Sequence, residues 1–131
     1  MKKTWMISSV LCTSLLCGAS AFASCTRADL TGTWRAYTMF DSVARCSIVM
    51  GASGSTIGSS SYCYLPGVID SVPLTGTLTI LSNCRVRGSI SVSGEPRTID
   101  AWISTGKDSM SGMGWHPSNS FVGDIFTGVR G

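Results

Sequence analysis

Histidine occurs once, at His116, and no Cys-x-x-C pair occurs anywhere in the 131 residues. A nucleophilic triad needs an imidazole held beside a hydroxyl, and a zinc site needs several nitrogen or sulfur donors, so neither chemistry finds its residues here. No metal and no cofactor are expected, and His116, next to Pro117, reads as a surface turn residue. Charge is also scarce, at 13% of residues, and its excess of +3 includes Lys2 and Lys3 at the extreme N-terminus. Without those two the balance falls to +1, which leaves no bias toward nucleic acid or an acidic membrane. The longest apolar run contains Ser8, Ser9, Thr13 and Ser14 and stops short of the ~20 residues that span a bilayer. Segments with a helical period are missing as well.

What the N-terminus does contain is an export pattern. Lys2 and Lys3 precede a mostly apolar stretch from Trp5 to Ala19, followed by Ala21-Phe22-Ala23, a small-residue site before Ser24. Residues 1–23 are therefore read as a cleavable signal peptide and residues 24–131 as a single periplasmic or secreted domain with no membrane span. A lipoprotein signal fits less well, since Cys17 follows Leu15-Leu16 and Cys25 follows Phe22-Ala23-Ser24. The mature chain keeps Cys25, Cys46, Cys63 and Cys84, an even number in an exported protein, which predicts two disulfides. Three connectivities are open from spacing alone. Each bridge contributes about 3 kcal/mol, much of the stability of so small a domain.

Period-two alternation and Thr, Ser, Val, Ile and aromatic residues predict strands throughout. Leu30–Phe40 and Val43–Met50 form the first two, and a third ends near Cys63-Tyr64-Leu65. Pro66-Gly67 opens an irregular connection through Pro73. Leu74–Ile80 and Val86–Val92 form the arms of a hairpin turning at Ser82-Asn83. A turn at Gly94-Glu95-Pro96 leads to Arg97–Ser104, then Ser109–Trp115, then Ser120–Arg130. Eight short strands with tight turns imply an all-β up-and-down antiparallel barrel, with a β-sandwich as the alternative. Closure removes exposed edges, and mid-strand glycines such as Gly76, Gly88 and Gly112 relieve crowding in coiled sheets, which favours the barrel.

Leu30-Thr31-Gly32-Thr33-Trp34 resembles the opening strand of the calycin superfamily, small meander barrels that include lipocalins, avidins and bacterial metalloproteinase inhibitors. The resemblance implies that Trp34 closes one barrel end and that Arg130, in the last strand, stacks across it, a contact of about 1 kcal/mol. The inhibitor branch carries a cysteine on the second strand and another on the third. That likeness implies Cys46 with Cys63, and hence Cys25 with Cys84. It also implies a free N-terminal arm, here Ser24–Asp29, that enters a protease cleft. A disulfide at Cys25 would tether the arm's second residue and shorten its reach.

Asp100 and Asp124 are the carboxylates that a hydrolase would pair across the barrel, but both are expected to face solvent beside Arg97 or Lys107. Arg85 and Arg87 are read as a solvated stripe. Trp102 shares the outer face with Asp100, and with Trp115, Tyr62, Tyr64, Tyr37 and Leu65 it forms a candidate binding surface. The function expected is an exported binding module for a protein or small ligand, with protease inhibition through loops near Tyr62–Leu65 as its leading form. A small-ligand-binding envelope protein, a surface or assembly component and a carboxylate-based hydrolase are the alternatives.

Overall fold

In a computed structural model of the chain, residues 24–40 and 43–131 are described. The segment read as an export signal lies outside them. Eight strands follow in order: β1 (Gly32–Phe40), β2 (Ala44–Met50), β3 (Tyr62–Tyr64), β4 (Val72–Ile80), β5 (Arg85–Val92), β6 (Glu95–Ile103), β7 (Ser109–His116) and β8 (Asn119–Arg130). Each pairs antiparallel with the next, and β1 pairs with β8, so the sheet closes into a barrel and the sandwich alternative is excluded. Cys25 is bonded to Cys84 and Cys46 to Cys63.

The alternation read from sequence sets the wall. Leu74, Leu78 and Ile80 of β4 are buried while Thr75, Thr77 and Thr79 are exposed, and Ile99, Ala101 and Ile103 of β6 point inward against outward Trp102. Arg35, Arg45 and Arg87 are exposed on the outer face. Among the described residues no helix is long and apolar enough to cross a membrane. Close backbone approach at β4–β5 requires glycine: a β-carbon on Gly76 or Gly88 would strike the Ser89 or Thr77 carbonyl.

Several boundaries differ from the sequence reading. The first strand begins at Gly32 rather than Leu30, because Arg27–Asp29 forms a 3-10 turn in which Leu30 N–H donates to the Arg27 carbonyl at 3.0 Å. Asp29 accepts the Thr26 N–H at 2.7 Å and anchors that turn. The β5–β6 reversal lies at Ser93-Gly94, both at positive φ (51° and 86°) as a type I′ hairpin requires, so Glu95 and Pro96 belong to β6. The β7–β8 turn shrinks to Pro117-Ser118, with a register shift at Trp115/His116. The third strand is only three residues long because residues 51–61 leave the ladder, touching it through the Met50–Ile57 and Thr56–Thr77 bridges. Cys46 faces Cys63 in the register, so a covalent bond joins β2 to this short strand.

Candidate functional site

One end of the barrel is filled. Leu30 and Trp34 are fully buried there, and Trp34 Nε1 donates to the Leu30 carbonyl at 2.9 Å. The Arg130 guanidinium lies 4.7 Å from the centre of the Trp34 ring and donates to the carbonyls of Asp29 and Thr31. Cys25–Cys84 and the contact of Lys107 Nζ with the Ser24 carbonyl at 3.0 Å hold residues 24–29 against this end. Lys107 also pairs with Asp29 at 3.1 Å. The Thr26 N–H first, and then Lys107, hold the Asp29 carboxyl below its ordinary range.

The opposite end, where β1–β2, β3–β4, β5–β6 and β7–β8 connect, opens on a lumen of about 170 Å³. Its walls include Leu74, Leu78, Ile90, Ile99, Met110 and Phe126. The space arises because Ala36, Ala44 and Gly114 contribute almost no side chain where their neighbours project inward. Among the described residues the charged side chains lining it are Glu95, Arg97 and Asp124, all near the mouth. Arg97 Nε stands 4.0 Å from Asp124 Oδ2, and Arg97 Nη1 donates to the Pro96 carbonyl at 2.8 Å, which fixes the guanidinium at the lip. Beside it His116 Nε2 is 4.0 Å from Glu95 Oε2. The His116 Nδ1 accepts the Ser118 N–H at 3.2 Å and so caps the β7–β8 turn.

Asp124 corrects the sequence reading, which placed it in solvent: it is only 8% exposed and faces the lumen in phase with Phe126 and Gly128. The two parities of β8 were hard to tell apart, since Ile125 and Val129 on the outside are as apolar as the inward set. Asp100 does face outward, where Arg85 grips it through Nε at 2.8 Å and through Nη2, so the two aspartates lie on opposite sides of the wall rather than in one cleft. The hydrogen bonds from Arg85 hold the Asp100 carboxyl below its usual range and raise the guanidinium in turn. Arg85 is therefore not part of a free solvated stripe with Arg87. It also stands 5.8 Å from the Trp102 ring centre, covering part of that half-exposed indole.

The aromatic candidates do not form one surface. Trp102 lies near the filled end of β6, whereas Trp115 faces Thr98, four residues away along that strand and so ~13 Å distant. Tyr62 and Tyr64 stack edge to face on the outside of β3, ring centres 5.4 Å apart, with Arg45 5.0 Å from the Tyr64 ring. Tyr37 is exposed on β1. Leu65, of that group, lines the lumen mouth. The sequence reading missed Arg97, Glu95 and the small residues Ala36, Ala44 and Gly114, because a vacancy is a property of several strands at once. Among the described residues no cluster of histidine, cysteine, aspartate or glutamate is placed to hold a metal ion. No protein-family model, curated protein or solved structure matches this chain.

Proposed function

We propose that this is an exported binding module that holds a small apolar ligand in the barrel lumen, entered from the open end. The observation that carries the reading is a cavity of about 170 Å³ with apolar walls and charge confined to its mouth. Polar cavities fill with water held by two to four partners, whereas apolar ones of about 150 Å³ stay dry and take up molecules the size of benzene. A six-carbon body gains about 5 kcal/mol on burial there, equivalent to a dissociation constant on the order of 0.3 mM before any head-group contact. The two disulfides support an oxidising, exported setting. Arg130 over Trp34 supports the calycin-like reading of the barrel.

Titration of the oxidised protein with toluene, followed by amide and methyl NMR, tests the proposal. Shifts at Leu78, Ile99 and Phe126 are expected. Saturating toluene that moves none of them, or moves only exposed residues such as Tyr62 and Tyr64, removes it.

A second reading, docking of a protein such as a protease on the mouth loops, is favoured by Ile69 and Phe121, which are 96% and 98% exposed at that end. It would use these loops and not the N-terminal arm, which is bound to the filled end. Secreted metalloproteases that form no complex with the protein and keep full activity would eliminate it.

A further inference from the structure

We propose that the outer wall over β1, β2 and β3 docks an extended acidic segment of a partner protein, one carrying Asp or Glu at alternate positions. This wall lies outside the lumen, and docking on it does not depend on lumen binding. All three tyrosines of the chain, Tyr37, Tyr62 and Tyr64, point outward here beside Arg35 and Arg45. Register sets them in two rows: Tyr37 faces Arg45, which faces Tyr64, and Arg35 faces Ser47, which faces Tyr62. The other outward positions are Thr33, Met39 and Val49, so among the described residues no carboxylate side chain lies on the outer faces of these strands. Among the same residues neither arginine forms an ion pair, in contrast to Arg85 on β5.

Tyrosine and arginine without lysine, aspartate or glutamate is the composition found at the energetic centre of protein interfaces. Two guanidiniums and three phenol hydroxyls make the wall rich in donors, and carboxylates are the acceptors that bind such donors most strongly. Arg35 and Arg45 are diagonal neighbours on adjacent strands, which puts their Cα atoms ~7–8 Å apart, and like charges so placed repel until a partner neutralises them. In an extended chain, side chains two residues apart point the same way at ~6.6 Å, so an acid-x-acid stretch meets both guanidiniums at once. Ligands that stack fit less well. Tyr62 and Tyr64 meet edge to face at 80°, and Arg45 lies 5.0 Å from the Tyr64 ring centre, so part of the ring surface that a base or sugar would use is already covered. The wall is also rigid before a partner arrives: the Cys46–Cys63 bond ties together the strands that carry Arg45, Tyr62 and Tyr64, which lowers the ordering cost of docking.

Fluorescence anisotropy with labelled peptides tests this on the oxidised full-length protein. The probes are six Glu-Thr repeats, six Lys-Thr repeats, and six Glu-Thr-Thr repeats, which carry the charge of the first at a wider spacing. The Glu-Thr peptide is expected to bind several-fold more tightly than the Glu-Thr-Thr peptide, and the Lys-Thr peptide not at all. Arg35→Gln and Arg45→Gln should each weaken the Glu-Thr peptide about tenfold, as loss of one charge-assisted hydrogen bond does. Arg87→Gln, at an exposed position on β5, should change nothing. An equal loss from Arg87→Gln, equal binding of the two glutamate peptides, or no binding of either overturns the proposal. Tighter binding of oligo-dT or polygalacturonate also overturns it, and makes the wall a surface for nucleic acid or acidic polysaccharide instead. Toluene uptake by the lumen should be the same in both arginine variants, so the two readings stand or fall separately.

Discussion

Ala36→Leu should make the barrel more stable and close it to ligand. Ala36 is buried on β1 and lines the lumen, so a longer side chain there grows into empty space. Three added carbons at ~0.8 kcal/mol per buried methylene contribute about 2.4 kcal/mol. That is within the ~4 kcal/mol that a void of 170 Å³ withholds at ~24 cal/mol per Å³. For a domain of this size the gain corresponds to a rise in the melting midpoint of roughly 10 °C. If the interior were already close-packed, the same substitution would overpack it and lower stability by about 1–3 kcal/mol. The sign of the change thus reports whether the space exists. Thermal unfolding by circular dichroism gives that sign, and a toluene titration of the same variant should show no lumen response. A lower midpoint, or a higher one with toluene binding retained, would refute the reasoning.

The disulfides should rank by the loop they close. Cys25→Ser with Cys84→Ser opens a separation of 59 residues and should cost about 4 kcal/mol, whereas Cys46→Ser with Cys63→Ser opens 17 and should cost about 3. Urea unfolding of the two double variants measures both, and a larger loss from the shorter loop would show that the short β3 depends on its bridge for more than chain entropy. Arg130→Met keeps the stem over Trp34 but removes the guanidinium from the Asp29 and Thr31 carbonyls; a loss of about 2–3 kcal/mol is expected, and Lys should restore little of it. Because the folded carboxyls of Asp29 and Asp100 titrate below their unfolded range, their contribution is present above about pH 4 and disappears as pH falls through the folded values. Asp100→Asn should flatten the acid limb of a stability-against-pH curve, and an unchanged limb would show that Arg85 adds nothing there.

Strand identity was legible in the chain because it is a local property. Thr75, Thr77 and Thr79 alternating with Leu74, Leu78 and Ile80 force one face in and the other out whatever else the chain does. Turns were legible to within a residue or two; Ser93-Gly94 displaced the expected Gly94-Glu95-Pro96 because Ser93 accepts a positive φ that its residue type does not advertise. Spacing left three pairings of the four cysteines open; the resemblance implied Cys46 with Cys63 and Cys25 with Cys84, both of which are formed, and the register that brings Cys46 opposite Cys63 is the physical reason for the first.

The site is another matter. That Asp124 faces inward depends on the β8 register against β1 and β7, since the strand carries apolar residues on both parities. The vacancy at its side depends on three small residues, Ala36, Ala44 and Gly114, meeting across separate strands, and the mouth charges meet only because β6 and β8 begin at the same end of the barrel. Sequence alone determined an all-strand wall with an inside and an outside, because side-chain period is set by each backbone by itself. Whether that inside is full or hollow was decided by the closed sheet, because packing volume belongs to residues far apart in the chain.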